Sequence, residues 1–281
     1  MYRALFASLL IACGGHGTSS TTAPVGPATS ELPAGPPRVT PGERMSYRVQ
    51  LQGVELAAMT FTVGDVTEVA GKPAIVVQGH AKSVGLASMV AKVDDKFTSW
   101  IDVATGRSRR FQTEEYATGS KTNIEYTTID IAGRTDAGIP IVQHDTDTPE
   151  TAELQKASKP EVWDYNTYLI ALRSWEAAPG STIELEVFRS RYLWHVDIKI
   201  GKKQRLTTEL GDFPALQFDA HAYKLDRAGG KYPNSDERDF SIWISDDDGR
   251  VPLKLVARTD YGDVKMEIVD YQPGTGQRLR N

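Results

Sequence analysis

Between Arg191 and Ile200 the chain alternates without a break, with Tyr192, Trp194, Val196, Ile198 and Ile200 in one row and Leu193, His195, Asp197 and Lys199 in the other. A two-residue repeat sends successive side chains to opposite faces of an extended strand, so such a run is stable only with one face covered. The same period recurs in Met45, Tyr47, Val49 and Leu51, in Met59, Phe61 and Val63, and in Ile183, Leu185 and Val187. Near the C-terminus, Phe240, Ile242 and Ile244 lead into Asp246-Asp247-Asp248-Gly249, and Val251, Leu253, Leu255 and Ala257 lead away. This pattern reads as a hairpin whose Gly249 supplies a positive φ. Val264, Met266 and Ile268 follow the Asp260 to Asp263 turn and complete a three-stranded meander.

One segment departs from this rhythm. Asp164 is placed to cap a helix running to about Ala177, in which Tyr165, Tyr168, Leu169, Leu172 and Trp175 recur at spacings of three and four before Pro179-Gly180. The preceding polar stretch, roughly 144–160, reads as a long loop or short surface helix. About ten to twelve antiparallel strands and one helix are expected. The fold class is mainly all-β: a large curved antiparallel sheet or partly open β-barrel, with the helix packed on it.

The first residues carry a different signal. Cys13, the single cysteine, follows the short apolar stretch Ala4 to Ala12, which is too short to span a bilayer. It resembles the lipobox of bacterial lipoproteins, and that resemblance implies cleavage before Cys13, acylation of its sulfur and amine, and a membrane anchor. From Gly14 to Gly42 the sequence is rich in Gly, Ser, Thr, Ala and Pro, without hydrophobic period. The organisation expected is a signal peptide at 1–12, a flexible tether at 13–42, one β domain at 43–273 and a tail at 274–281. Gly14 after the cysteine favours, by the same resemblance, the outer membrane facing the periplasm.

The charge balance, 37 Asp and Glu against 32 Lys and Arg, and the lack of a basic stripe argue against nucleic acid as a partner. With one cysteine no disulfide braces the domain. No nucleophile elbow, phosphate loop, zinc-protease helix or cofactor motif occurs, so no catalytic residue, metal ligand or cofactor is assigned. His80, His144, His195 and His221 are scattered in sequence. Strand pairing is able to bring His195 and His221 together with Asp197 or Asp219 as a crude metal or acid/base cluster, although separate surface roles are the plainer reading. The Asp246 to Asp248 run lacks the closing glutamate of a calcium loop. Asp94 and Asp95, with the later Asp102, are candidate paired carboxylates for glycan hydrolysis, but Asp94 and Asp102, eight residues apart, are too distant along a strand to act together, and turn or solvent-facing roles are the plainer reading.

The pairs Gly42-Glu43 with Tyr47, Val93-Asp94 and Ile101-Asp102, Leu172-Arg173, and the run Ile242-Trp243-Ile244-Ser245-Asp246 followed by Pro252-Leu253-Lys254 resemble the bacterial DUF3108 family over about residues 42 to 272. The resemblance implies a fold and an envelope location and transfers no catalytic residue. Trp100, Tyr168, Leu172, Trp175, Trp194 and Trp243 are the candidate lining of an apolar cleft, with ordinary core roles as the alternative. The function expected is a non-catalytic, lipid-anchored envelope protein that binds an apolar or amphipathic ligand such as lipid or cell-wall glycan, or an envelope protein. The alternatives are an envelope hydrolase or modifying enzyme built on the histidine and carboxylate set, and a structural spacer with a filled interior.

Overall fold

A computed structural model describes residues 32–90, 92–116, 122–235 and 237–280. The alternating runs form fifteen strands of one sheet. β1 (Arg44–Leu51), β2 (Val54–Val69), β3 (Lys72–Ser83), β4 (Asp94–Asp102), β5 (Ser108–Tyr116), β6 (Ile124–Ile129), β7 (Ile139–Asp145) and β8 (Thr151–Gln155) are successive antiparallel neighbours, with a one-turn helix α1 (Ala87–Val90) between β3 and β4. The chain then crosses to the far edge and lays down β9 (Trp163–Asp164) and helix α2 (Tyr165–Arg173). It returns through β10 (Thr182–Arg189), β11 (Tyr192–Thr208), β12 (Gly211–Lys224), β13 (Arg238–Ser245), β14 (Pro252–Thr259) and β15 (Gly262–Gln272), and β15 pairs with β1. Among the described strands, β9 and β10 are the one parallel pair.

Among the described residues no strand ladder joins the free edges β8 and β9; β8 is tied to the loop after β12, and the segment that follows β8 is tied to β10. Buried Gln155 donates from Nε2 to the Asp226 carbonyl at 2.6 Å, Arg227 reaches Glu153 at 2.6 Å, and the Ser158 hydroxyl donates to Glu186 at 2.6 Å. The sheet curls into a partly open, barrel-like shape whose free edge strands are short, five residues in β8 and two in β9. Its inward rows form one apolar core.

Helix α2 lies inside the curl. Eight of its nine residues are buried, and it packs on β3, β4, β9 and β10. A helix in that position must satisfy its polar ends from the protein, because water does not reach them. Asp164 caps the first turn, accepting from the amides of Asn166 and Thr167 at 3.0 and 2.9 Å. It also accepts from the hydroxyls of Ser99 at 2.6 Å, Thr167 at 2.8 Å and Ser108. Burial pushes its carboxyl up in pKa, and these donors act against that. Asn166 donates to the Phe97 carbonyl at 2.8 Å, and the helix comes close enough to β3 that a Cβ at Gly79 would stand 3.1 Å from Asn166 Oδ1. At the other end Arg173 forms a bidentate pair with Glu43, at 2.8 and 3.0 Å, and donates to the Gly249 carbonyl at 2.9 Å. Both partners are 2% exposed.

Several expectations change. Fifteen strands replace ten to twelve, and 144–160, expected as a loop or surface helix, contains the end of β7 and all of β8. Four of the five residues of β8 are exposed, so this edge strand has no buried row to advertise it. The helix ends at Arg173, capped by Ser174, and not near Ala177. In the β13–β14 hairpin the positive φ, 49°, belongs to Arg250 and not to Gly249. Arg250 is held there because its buried guanidinium donates to the carbonyls of Arg173 and Trp175 at 3.2 and 3.1 Å, closing the C-terminal end of α2. The domain boundary at 42 also falls late. Leu32 and Val39 are buried in the core, and the amides of Leu279 and Gly276 pair with the carbonyls of Val39 and Pro41, so 32–42 and the tail pack on the barrel. Isolated apolar residues among prolines carry no period by which to announce this.

Replacing Asp164 by Ala removes a cap and leaves buried hydroxyls without an acceptor, at an expected cost of roughly 3 kcal/mol. Asp164→Asn keeps one acceptor oxygen and is expected to cost less than half as much. Urea unfolding checks both, and an Asp164→Ala midpoint equal to that of the parent contradicts the anchoring role.

Candidate functional site

Four strands break their inward apolar rows with a charge at the same rim. On β4, Asp95 precedes Phe97 and Ile101; on β5, Glu115 follows Phe111 and Thr113. On β10, Arg189 follows Ile183, Leu185 and Val187; on β13, Arg238 precedes Phe240 and Ile242. Because neighbouring strands run antiparallel, β4 and β13 begin where β5 and β10 end. Arg189 stands among Glu115, Tyr165, Asp95 and Arg238, and burial lowers its pKa against the pull of the two carboxylates and Tyr165. Burial, with the Glu115 charge beside it, pushes Asp95 up to about 7, against the Tyr116 amide that donates to it at 3.1 Å and the charge of Arg189.

Around this cluster lie buried polar atoms that have no hydrogen-bond partner among the described residues: Tyr165 Oη, Thr113 Oγ1, Trp194 Nε1 and Arg189 Nε. Trp194 faces inward and pairs in register with Val187, two residues before Arg189, while the Arg238 guanidinium is 6.0 Å from its ring. Thr113 is opposite Phe97, whose ring is 6.2 Å from that of Tyr165. Native interiors leave few such atoms, so this group calls for partners beyond the described residues, water or a ligand among them.

Deeper in, the lining becomes apolar. A cavity of about 20 Å³ lies between α2 and the sheet, lined by Met45, Met59, Phe61, Tyr165, Leu169 and Met266. That is room for one water-sized particle. The six residues proposed from sequence do not share a cleft. Tyr168, Leu172, Trp175 and Trp194 are buried in the core, with Trp175 packed on Phe218 at 5.9 Å between centroids. Trp100 and Trp243 are half-buried on the outer face, on β4 and β13. Thr113 and Arg189 were not singled out from sequence, Tyr165 entered only in the helical row, and Asp95 only beside Asp94 as a possible carboxylate pair. Their signal is nonetheless present, since each strand residue stands in phase with its apolar row, so a charge there continues the inward face.

The outer face carries the histidines. His80 Nε2 is 2.6 Å from Asp94, and His144 stacks on Tyr126 with centroids 4.9 Å apart. His195 and His221 share this face on neighbouring strands, with Asp197 in register with His221. Each has its own partner: His195 contacts Asp197 at 3.2 Å and stacks on Tyr223, and His221 contacts Asp239 at 2.9 Å. Glu184, His195 and Asp197 present ligand atoms within 4.8 Å of one another, a donor set that suits a divalent transition metal. Lys159 already neutralises Glu184, at 2.5 Å. His221, Asp219 and Trp243 border an open polar trough of about 980 Å³. Asp102 pairs with Arg109 at 3.1 Å, away from Asp94. Asp247 accepts from the amides of Gly249 and Arg250 at 2.9 and 3.1 Å, so the aspartate run shapes a turn. Cys13 lies outside the described residues.

Asp95 gives this rim a pH signature. Its folded pKa near 7 lies above the unfolded value near 4, so the folded state holds the proton between those limits. Stability is therefore lost as pH rises from about 4 to 7 and is level beyond. Asp95→Asn removes that loss, and its urea midpoint is expected to exceed that of the parent at pH 8, by at most about 4 kcal/mol in stability, with the gap closing below pH 4. A gap independent of pH contradicts the assignment.

One solved structure agrees with this architecture. A β-barrel-like protein of the domain of unknown function DUF1849, from Brucella abortus, superimposes with a TM-score of 0.53 at 10% identity, over 85% of this chain and 99% of that one. A protein classed as exported, with a YmcC-like fold, from Bacteroides fragilis gives 0.34 at 7% identity, over 85% of this chain and 99% of the other. One classed as a lipoprotein, from Parabacteroides distasonis, gives 0.35 at 8%, over 86% and 100%. No curated protein matches the sequence. Residues 46–269 match the model of the family described as "Protein of unknown function (DUF3108)", which spans most of the chain, and the protein belongs to that family.

Proposed function

We propose that this protein is a non-catalytic binding domain of the cell envelope, lipid-anchored through Cys13 to the outer membrane on its periplasmic side, and that it takes an amphipathic ligand at the rim around Arg189. The observation that carries this reading is the group of buried polar atoms without protein partners at the mouth of an otherwise apolar barrel. An enzyme of the same shape needs a nucleophile, base and orienting group converging on one reactive point. The outer-face histidines instead stand in separate carboxylate pairs beside open solvent. The apolar interior near α2 is close to full, so the ligand's polar part belongs at the rim and its chain along the adjoining surface. The anchor follows from the lipobox resemblance, and no helix among the described residues is long and apolar enough to cross a membrane.

Two measurements test this reading. Expressed in a Gram-negative host, the chain is expected to incorporate radiolabelled palmitate and the Cys13→Ser variant to incorporate none. Native mass spectrometry of the gently extracted protein is expected to show a non-covalent adduct of lipid mass. An unlabelled chain that retains its initiator methionine contradicts the anchor, and a protein free of any adduct contradicts the binding role.

A further inference from the structure

The polar rim also constrains what sort of head group it takes. Trp194 Nε1 and Arg189 Nε only donate hydrogen bonds, and both are buried with no acceptor among the described residues. Tyr165 and Thr113, each 2% exposed, add two hydroxyls in the same condition. Arg189 makes no ion pair within 4 Å among the described residues, although Asp95 and Glu115 lie within its electrostatic reach. Arg189 is part-buried and only its Nε is among the buried atoms without a partner, so the rest of its planar fork of N–H groups is open to the two oxygens of a carboxylate or phosphate. The missing partner is therefore an acceptor carrying negative charge.

A second feature lies at the same rim. The connection from β3 to β4, which ends at Asp94 beside Asp95, holds Leu86 and Met89 in solvent at 80% and 73% exposure. They are the two most exposed large apolar side chains among the described residues, and they offer apolar contact on the rim from which β4 begins. Lys92, in the same connection, lies over the Tyr116 ring at 4.2 Å and adds a positive charge. Since the inner cavity of about 20 Å³ is too small for an acyl chain, the hydrocarbon lies outward over Leu86 and Met89 while the head turns in.

From these observations the geometry points to an anionic amphiphile site, in which Arg189, Trp194, Tyr165 and Thr113 hold a carboxylate or phosphate head and Leu86 and Met89 carry the start of a single acyl chain. It rests on the amphiphile-binding reading above and specifies the ligand's charge. Asp95 and Glu115 face the same space. Their carboxyls oppose an anionic head, and Arg189 and Arg238, which stand among them, supply the opposite charge.

The test is equilibrium binding to the full chain carrying Cys13→Ser, so that no attached acyl group competes. The probes are palmitate, dodecyl phosphate, dodecanol, dodecyltrimethylammonium and inorganic phosphate. Palmitate and dodecyl phosphate are expected to bind at least tenfold more tightly than dodecanol or the ammonium, and inorganic phosphate only weakly. Arg189→Met is expected to reduce the affinity for both anionic amphiphiles at least tenfold and to leave dodecanol unchanged. Trp194→Phe, which keeps the ring and removes only the N–H, is expected to act in the same direction and covers the case in which Arg189→Met does not fold. Replacing Leu86 and Met89 together by Ser is expected to weaken palmitate several-fold and leave inorganic phosphate unaltered. Equal affinity for dodecanol and palmitate, or an anion affinity indifferent to both rim variants, overturns the head-group assignment while the amphiphile reading stands. Tight inorganic phosphate binding unaffected by chain length assigns the site to a free anion and overturns the amphiphile claim. Binding of none of the probes overturns both.

Discussion

A helix enclosed by a sheet has no solvent to satisfy its ends, and the rest of this structure follows from how those ends are met. The N-terminal amides of α2 are taken by Asp164, itself held by Ser99 and Ser108 from two strands. The C-terminal carbonyls are taken by Arg250, and the last helical side chain, Arg173, is neutralised by Glu43 from the segment just before β1. These ties join residues far apart in sequence, so they fix the curl of both arms of the sheet on one element. Buried ion pairs contribute little net stability against an apolar replacement but are severe to break singly, which gives the barrel a defined geometry more than a large excess of stability.

The residues that carry the DUF3108 resemblance map onto these ties. Glu43 and Arg173 are the buried pair, Tyr47 donates to the Pro252 carbonyl at 2.9 Å, and the hairpin after Ile242-Trp243-Ile244-Ser245 supplies Arg250. Asp102 closes the β4–β5 turn, accepting from the amides of Ala104 and Thr105 at 3.0 Å. The motif thus describes how the helix is enclosed and how turns are closed. The rim residues are not among those pairs, although they fall within the matched span 46–269.

Much of the fold was legible because period-two alternation is a direct consequence of one buried face, and the runs from Met45, Tyr192 and Phe240 all became strands. The helix was legible from its cap. Its enclosure was not, because Asn166, Thr167 and Arg173 read as solvent-facing residues until their partners on β3, β4 and before β1 are known. β8 was hidden because an edge strand with one buried position has no period. The rim was missed for a related reason: a lone charge at a strand end looks like a solvated terminus, and only the row it continues, Ile183 to Val187 for Arg189, shows that it points inward.

Native-state hydrogen exchange of the α2 amides tests the enclosure most directly. If the barrel closes on an internally anchored helix, the amides from Leu169 to Arg173 exchange only through global unfolding, with the same free energy and denaturant dependence as the central amides of β3 and β4. Exchange of α2 at a lower free energy, by an opening that leaves β3 and β4 protected, would contradict the account.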